Sequence, residues 1–258
     1  MKNTRPLVLS VAGFDPSGGA GVILDAAVLR GMGFRMAAVL TAVTVQNTAG
    51  VKNVYPLDAR LVRAQWRAVS EEAMIVGIKV GMVGTAKNLR MIVQELGRYP
   101  GIPRVIDPVL RATSGARLVD ASAFPAFLDG LRGRATLLTP NRDEAGRLAR
   151  LPVRSIGEMD EAARRIFERC GVACLVKGGR LTGTAVDVLF DGKRSYLFSH
   201  ARIAGEVHGT GCHLSASILG YLVRGRDLPD AVRLAAAATH RARLKSYSAA
   251  GGRRRFDL

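Results

Sequence analysis

The chain has 258 residues, 48% of them apolar, with 38 basic against 21 acidic side chains for a net charge of +17. That is enough apolar material for a sizeable core and excludes a disordered chain; no run is long or apolar enough to span a membrane or to serve as a secretory signal. Three cysteines, Cys170, Cys174 and Cys212, cannot close a disulfide set, so a cytoplasmic setting is expected.

In chain order, residues 7–12 form an apolar run read as a buried strand. It ends in a glycine loop, Gly13 to Gly21, before helical spacing from Gly21 to Leu29. The glycine spacing is neither a dinucleotide fingerprint nor a Walker A loop, but such a loop after a first strand commonly marks where a ligand meets backbone. Residues 36–45 make a second strand, closed by Gln46-Asn47-Thr48-Ala49-Gly50. That segment is either a turn or, through the Gln46 amide, a reader of a heteroaromatic ring. A helix over 61–69 follows a possible cap at Asp58, then a strand over 75–80. Thr85 is placed to cap a helix reaching Leu96. Residues 104–109 read as a strand carrying Asp107, 124–131 as a short helix, and 136–138 as a strand stopped by Pro140.

A helix over 142–148 comes next, and Ser155 caps another that ends near Cys170. Residues 173–177 form a strand that delivers Lys177 to Gly178-Gly179, and 185–190 with 195–198 form a hairpin around Asp191-Gly192. His208-Gly209-Thr210-Gly211-Cys212 then opens a buried helix, and a last helix runs from Asp227 or Pro229 to about Lys245. The polar, glycine-rich tail, 249–258, is expected to be mobile. The alternation makes one α/β domain over 1–258 with a mostly parallel, helix-covered sheet. Its ligand site is expected at the carboxyl ends of the strands.

Those ends carry chemistry. Gly209, Thr210 and Gly211 present free N–H groups at a helix start, which suits an anion, and the helix dipole there is expected to favour a thiolate at Cys212. Lys177 can reach a phosphate. Asn141 and Glu144, three apart, either cap their helix or, with Asp107, hold Mg²⁺ through waters. His208 and His213 read as ordinary loop and helix-surface residues. The basic residues are scattered from Arg5 to Arg255, with one tight cluster at Arg253–Arg255 and few aromatics. That pattern fits a solvated surface attracting anionic metabolites; neither a nucleic-acid nor a membrane partner is expected.

Seven motifs, in order, resemble the hydroxymethylpyrimidine/phosphomethylpyrimidine kinases of the ribokinase-like superfamily. They are Ala12 to Gly21, Gln46-Asn47-Thr48, Lys79-Val80-Gly81-Met82, Asp107-Pro108-Val109, Thr139-Pro140-Asn141 with Glu144, Val176 to Gly179, and His208 to Cys212. The resemblance implies a three-layer α/β/α fold and an ATP- and Mg²⁺-dependent kinase. The substrate would be 4-amino-5-hydroxymethyl-2-methylpyrimidine and then its monophosphate, and the enzyme a homodimer. By the same resemblance Cys212 is the base, Gly209 to Gly211 the anion hole, and Lys177 the ATP phosphate contact. Asn141 and Glu144 belong to the Mg²⁺/phosphate network; Gln46 bonds the pyrimidine, and Gly13, Asp25 and Met82 line its pocket. Phe14, Ile23, Ala27, Arg142 and the arginine-rich tail depart from the family pattern. A kinase of the same fold acting on pyridoxal is the alternative; an inactive, basic nucleic-acid-binding relative is a more distant one.

Overall fold

Successive residues of a strand face opposite sides of a sheet, so a strand buried along its whole length needs cover on both faces. The first strand, β1 (Leu7–Phe14), is of this kind. Leu7, Leu9 and Val11 enter one apolar cluster and Val8 another.

The computed structural model describes residues 7–109, 124–179, 185–201, 203, 205–248 and 253–258. After β1 come α1 (Gly21–Gly31), β2 (Arg35–Asn47), β3 (Gly50–Pro56), α2 (Ala59–Glu72), β4 (Ile75–Val80) and α3 (Ala86–Leu96). The middle of the chain holds β5 (Arg104–Ile106), α4 (Phe124–Gly130), β6 (Leu137–Leu138), α5 (Arg142–Ala149), α6 (Ile156–Cys170) and β7 (Ala173–Val176). Then follow β8 (Ala185–Phe190), β9 (Ser195–His200), α7 (Thr210–Val223) and α8 (Leu228–Leu244).

Nine strands form one sheet in the order β3-β2-β1-β4-β5-β6-β7-β8-β9. The run from β2 to β7 is parallel, and both edges finish in antiparallel pairs. Helices α2 to α6 cover one face through Trp66, Ile92, Leu128, Leu148 and Ile166; α1, α7 and α8 cover the other through Leu29, Ile218 and Ala231. This is the expected three-layer α/β/α arrangement. The expected caps Asp58, Thr85 and Ser155 are present, and Asp227 caps the last helix; each accepts a backbone N–H in the first turn.

Three expectations need correction. Strand β3 was not foreseen, because its mixed, largely exposed sequence carries no apolar alternation. It makes β2 the arm of a hairpin: beyond Val43, β2 pairs only with β3, so Thr44 to Asn47 overhang the sheet. Strand β5 stops at Ile106, leaving Asp107 just past its end. The tail is not loose where it is described; residues 249–252 lie outside the described residues. Strands β10 (Tyr247–Ser248) and β11 (Arg254–Arg255) pair. The Arg253 N–H donates to the Thr48 carbonyl (3.2 Å), Arg254 donates to Glu206 (3.2 Å), and the His208 N–H donates to Arg254 (2.9 Å). Polar composition conceals backbone pairing, and one apolar anchor, Phe256, is buried.

Phe256 lies on His213, with ring centroids 4.7 Å apart. His213 is therefore a core residue and not a helix-surface one: it is buried, its Nδ1 is 2.9 Å from Thr239 Oγ1, and burial pulls its pKa down to about 4. Once unfolded it binds a proton near pH 6.5, so this residue favours the folded state fully above that pH. The benefit is lost as pH falls from 6.5 towards 4, by up to about 3 kcal/mol. Urea denaturation of His213→Gln is expected to show a smaller stability loss between pH 6.5 and 4.5 than the parent. Parallel curves would refute the assignment.

Candidate active site

A cavity of about 960 Å³ opens along the carboxyl ends of the parallel strands. Its centre is the start of α7. Gly209 has φ +81°, and a Cβ there would stand 1.9 Å from the Gly19 carbonyl oxygen and 2.5 Å from Leu24 Cδ2. Only glycine lets this turn lie against the first glycine loop. That loop is closed by a bridge between Phe14 and Gly21 and pinned by Asp15, whose Oδ2 is 2.9 Å from His208 Nε2. Burial alone would raise the Asp15 pKa, but bonds from His208, Ser17 and Gln46 hold it below the usual carboxylate value. His208, read from sequence as an ordinary loop residue, thus ties the two ligand-facing loops together.

The Thr210, Gly211 and Cys212 segment forms the first turn of α7, and the half-buried Cys212 faces the cavity. The N–H of Gly21, at the start of α1, bonds the Cys212 sulfur, so two helix starts meet at the thiol. The expected lowering of its pKa is not the net result. Burial pushes the thiol up; Lys79 and the Gly21 N–H oppose this, and the Asp107 and Asp25 charges add to it.

Lys177 leaves β7 beside this turn. Its Nζ is 2.7 Å from Asp107 Oδ1, and a Cβ on Gly211 would stand 3.1 Å from it. Burial alone would lower the Lys177 pKa; the charges of Asp107 and Glu144 keep it raised, and the ammonium charged. Asp107 also accepts from Thr139 Oγ1 at 3.2 Å. Its carboxylate orients Lys177 and also lines the cavity. Asn141 and Glu144 form a capping box at α5: the Glu144 N–H donates to Asn141 Oδ1 (2.9 Å) and the Asn141 N–H to Glu144 Oε2 (2.8 Å). Both also line the cavity, so capping and ligand contact are compatible here.

At the other end stand Gln46, on the overhanging arm of β2, and Gly13 and Met82. A Cβ on Gly13 would meet Met82 Cε at 2.4 Å, so the glycine is what admits the methionine side chain. Phe14 lines this end as well, whereas Ile23 sits on the outer side of α1, 37% exposed. Asp25 does not line the pocket as expected. It is fully buried behind it, within 2.7 and 2.9 Å of Lys79 Nζ and 2.6 Å of Ser10 Oγ. The reason is helical phase: α1 turns Asp25 inward onto β1 and β4. Lys79, which had no assigned role, lines the cavity floor. Burial would lower its pKa, but the charges of Asp25, Cys212 and Asp107 raise it. A lysine inside the apolar run 75–80 was the sequence signal for it.

Known proteins resemble this chain in both sequence and fold. The sequence model described as phosphomethylpyrimidine kinase matches residues 15–255. A hydroxymethylpyrimidine/phosphomethylpyrimidine kinase of Rhizobium meliloti is 38% identical over 239 residues, covering 92% of this chain and 90% of its own. The crystal structure of a phosphomethylpyrimidine kinase from Clostridium difficile superposes with a TM-score of 0.80 at 31% identity, covering 92% of this chain and 99% of that one. A pyridoxal kinase from Staphylococcus aureus in complex with pyridoxal superposes with a TM-score of 0.90 at 27% identity, covering 98% and 93%.

Proposed function

The chain belongs to the phosphomethylpyrimidine kinase family and is an ATP-dependent kinase of thiamine biosynthesis; from that premise we propose how its own residues carry the reaction. The observation that carries the reading is the convergence, in one cavity, of a ring-binding amide at Gln46, a thiol at Cys212 and a phosphate-reaching ammonium at Lys177.

The acceptor is 4-amino-5-hydroxymethyl-2-methylpyrimidine, then its monophosphate. Gln46 keeps free hydrogen-bonding capacity beside its bond to Asp15 and presents it to the ring. Gly13 and Met82 shape the apolar wall. The hydroxymethyl oxygen lies by Cys212 and loses its proton to the thiolate sulfur. A bond forms from that oxygen to the γ-phosphorus, the bond from the γ-phosphorus to the β,γ-bridging oxygen breaks, and ADP leaves. The turn from Gly209 to Gly211 cradles the transferring group with its N–H dipoles, and Lys177, steadied by Asp107, neutralises phosphate charge. In the second round the acceptor is a phosphate oxygen, already ionised, so the base is needed chiefly in the first.

Mg²⁺ fits this donor set as a phosphate-borne ion. Among the described residues no group of three or more side chains could hold a metal by itself, and Mg²⁺ characteristically takes one or two carboxylates together with phosphates and water. Glu144, with Asn141, is the carboxylate that would hold it, and the ion would screen charge on the β- and γ-phosphates. Homodimerisation accords with the apolar, exposed Val43, Val45 and Tyr55 of the β2–β3 hairpin. A cytoplasmic location accords with three free thiols and with the absence, among the described residues, of a helix long and apolar enough to cross a membrane.

The TM-score of 0.90 to a pyridoxal kinase favours a second acceptor, pyridoxal. Incubation with Mg·ATP and either alcohol, with products identified by mass spectrometry, separates the two. The hydroxymethylpyrimidine is expected to give the monophosphate and then the diphosphate. Faster turnover of pyridoxal overturns the pyrimidine assignment.

A further inference from the structure

The arm that carries Gln46 overhangs the sheet and needs support. Among the described residues, β2 beyond Val43 pairs only with β3, and a two-stranded hairpin by itself is marginal in water. Near its base Thr44 Oγ1 donates to the Phe14 carbonyl at 2.9 Å. Its tip is tied by the far end of the chain, where the Arg253 N–H donates to the Thr48 carbonyl at 3.2 Å. Thr48 lies two residues beyond Gln46, in the hairpin turn.

The tail that makes this bond is itself fixed. Arg254 forms a parallel bridge with Val207, through its bond to the Glu206 carbonyl and the bond it accepts from the His208 N–H. Arg253 Nε lies 3.1 Å from Glu206 Oε2, and the buried Phe256 ring is anchored on His213. The tail therefore joins two walls of one cavity. One is the hairpin turn beside Gln46; the other is the segment that enters the Gly209–Gly211 turn. Gln46, Arg253 and Val207 line the cavity, whereas Phe256 does not.

We propose that the tail is a strap of the acceptor site. Arg253, through its backbone N–H, and Phe256, through its buried ring, are positioning residues that hold Gln46 at its place opposite the Gly209–Gly211 turn. The proposal rests on Gln46 being the ring-binding amide. It gives the arginine-rich ending a part in binding the acceptor without contact to the phosphates.

Arg253→Pro tests this most directly. It removes the donor to Thr48 and the partly exposed Glu206 pair, which contributes little, and keeps the Arg254 bonds and the Phe256 anchor. The KM for the hydroxymethylpyrimidine is expected to rise by about two- to ten-fold, the worth of one backbone hydrogen bond, with kcat and the KM for ATP within about two-fold of the parent. A mere loss of global stability would lower the folded fraction, and with it kcat, without moving a KM. Without any substrate, hydrogen–deuterium exchange of residues 44–51, followed by mass spectrometry, should quicken by about the same two- to ten-fold. Phe256→Ala should raise the same KM from outside the cavity, and Arg253→Pro decides the matter if that variant does not fold. Parental hairpin exchange, or a parental KM for the acceptor, in folded Arg253→Pro overturns the proposal. A parental acceptor KM in Gln46→Ala would instead sink the ring-binding role of Gln46, and leaves the hairpin exchange to decide the strap.

Discussion

Cys212→Ala is expected to lower kcat for the hydroxymethylpyrimidine by about 10²- to 10⁴-fold, the usual worth of a positioned general base. The KM for ATP should change little, because the phosphate contacts proposed above lie on Lys177 and the Gly209–Gly211 turn. The fold should survive: the side chain is small and half-buried at the edge of a core cluster, so its loss leaves no large cavity. The pH dependence sharpens the test. Burial holds the thiol above its ordinary pKa, and the active form is the thiolate, so kcat should rise with pH through pH 8 and beyond. Cys212→Asp puts a group of lower pKa at the same helix start, and its rising limb should lie at more acid pH. Retained parental turnover in Cys212→Ala, with ADP as the measured product, would remove the thiol from the mechanism. Phosphorylation of the monophosphate should suffer less than that of the alcohol, since its accepting oxygen carries no proton to remove.

Gly209→Ala is expected to cost about 10²- to 10³-fold in kcat, the range for losing a preorganised oxyanion donor. Two independent strains act at this position. The backbone φ of +81° disfavours any side chain by about 1–2 kcal/mol. The added methyl would lie 1.9 Å from the Gly19 carbonyl, which is backbone and cannot swing aside. Either the turn or the first glycine loop must move, and His208 and Asp15 couple the two. The N–H groups then no longer point at one spot. Gly31→Ala is the control: a Cβ there meets nothing within 4 Å, and turnover should stay within about two-fold of the parent, as at an unstrained surface position. If Gly209→Ala matched that control in steady-state assays, the anion-hole role of the turn would be lost.

Most of the architecture was legible because its signals are local. Largely apolar runs, as in 7–12 and 75–80, mark strands buried on both faces, and Asp58, Thr85, Ser155 and Asp227 mark helix starts by a bond each makes within its own first turn. The strand-end residues Gln46, Asp107, Asn141 and Lys177 follow from alternation alone, because a parallel sheet brings every carboxyl end to one edge. Strand β3 and the tail strand β11 were not legible. β3 is held by backbone hydrogen bonds to its hairpin neighbour β2, and the tail by backbone bonds from Arg253 and Arg254 to Thr48 and Glu206, and backbone groups are the same in every sequence.

Within the site the division is the same. Which residue types reach the cavity edge, the thiol at a helix start, the amide on a strand end and the lysine before two glycines, is written in order along the chain. What each does there was decided in three dimensions. Helical phase took Asp25 out of the pocket and onto Lys79; a 2.7 Å contact paired Asp107 with Lys177; packing against Phe256 put His213 in the core. Above all, burial reversed the expected direction of the Cys212 shift. A helix start is a local feature and can be read from sequence. The desolvation and charges that set a pKa depend on every element packed around the group, so they exist only once the chain has folded.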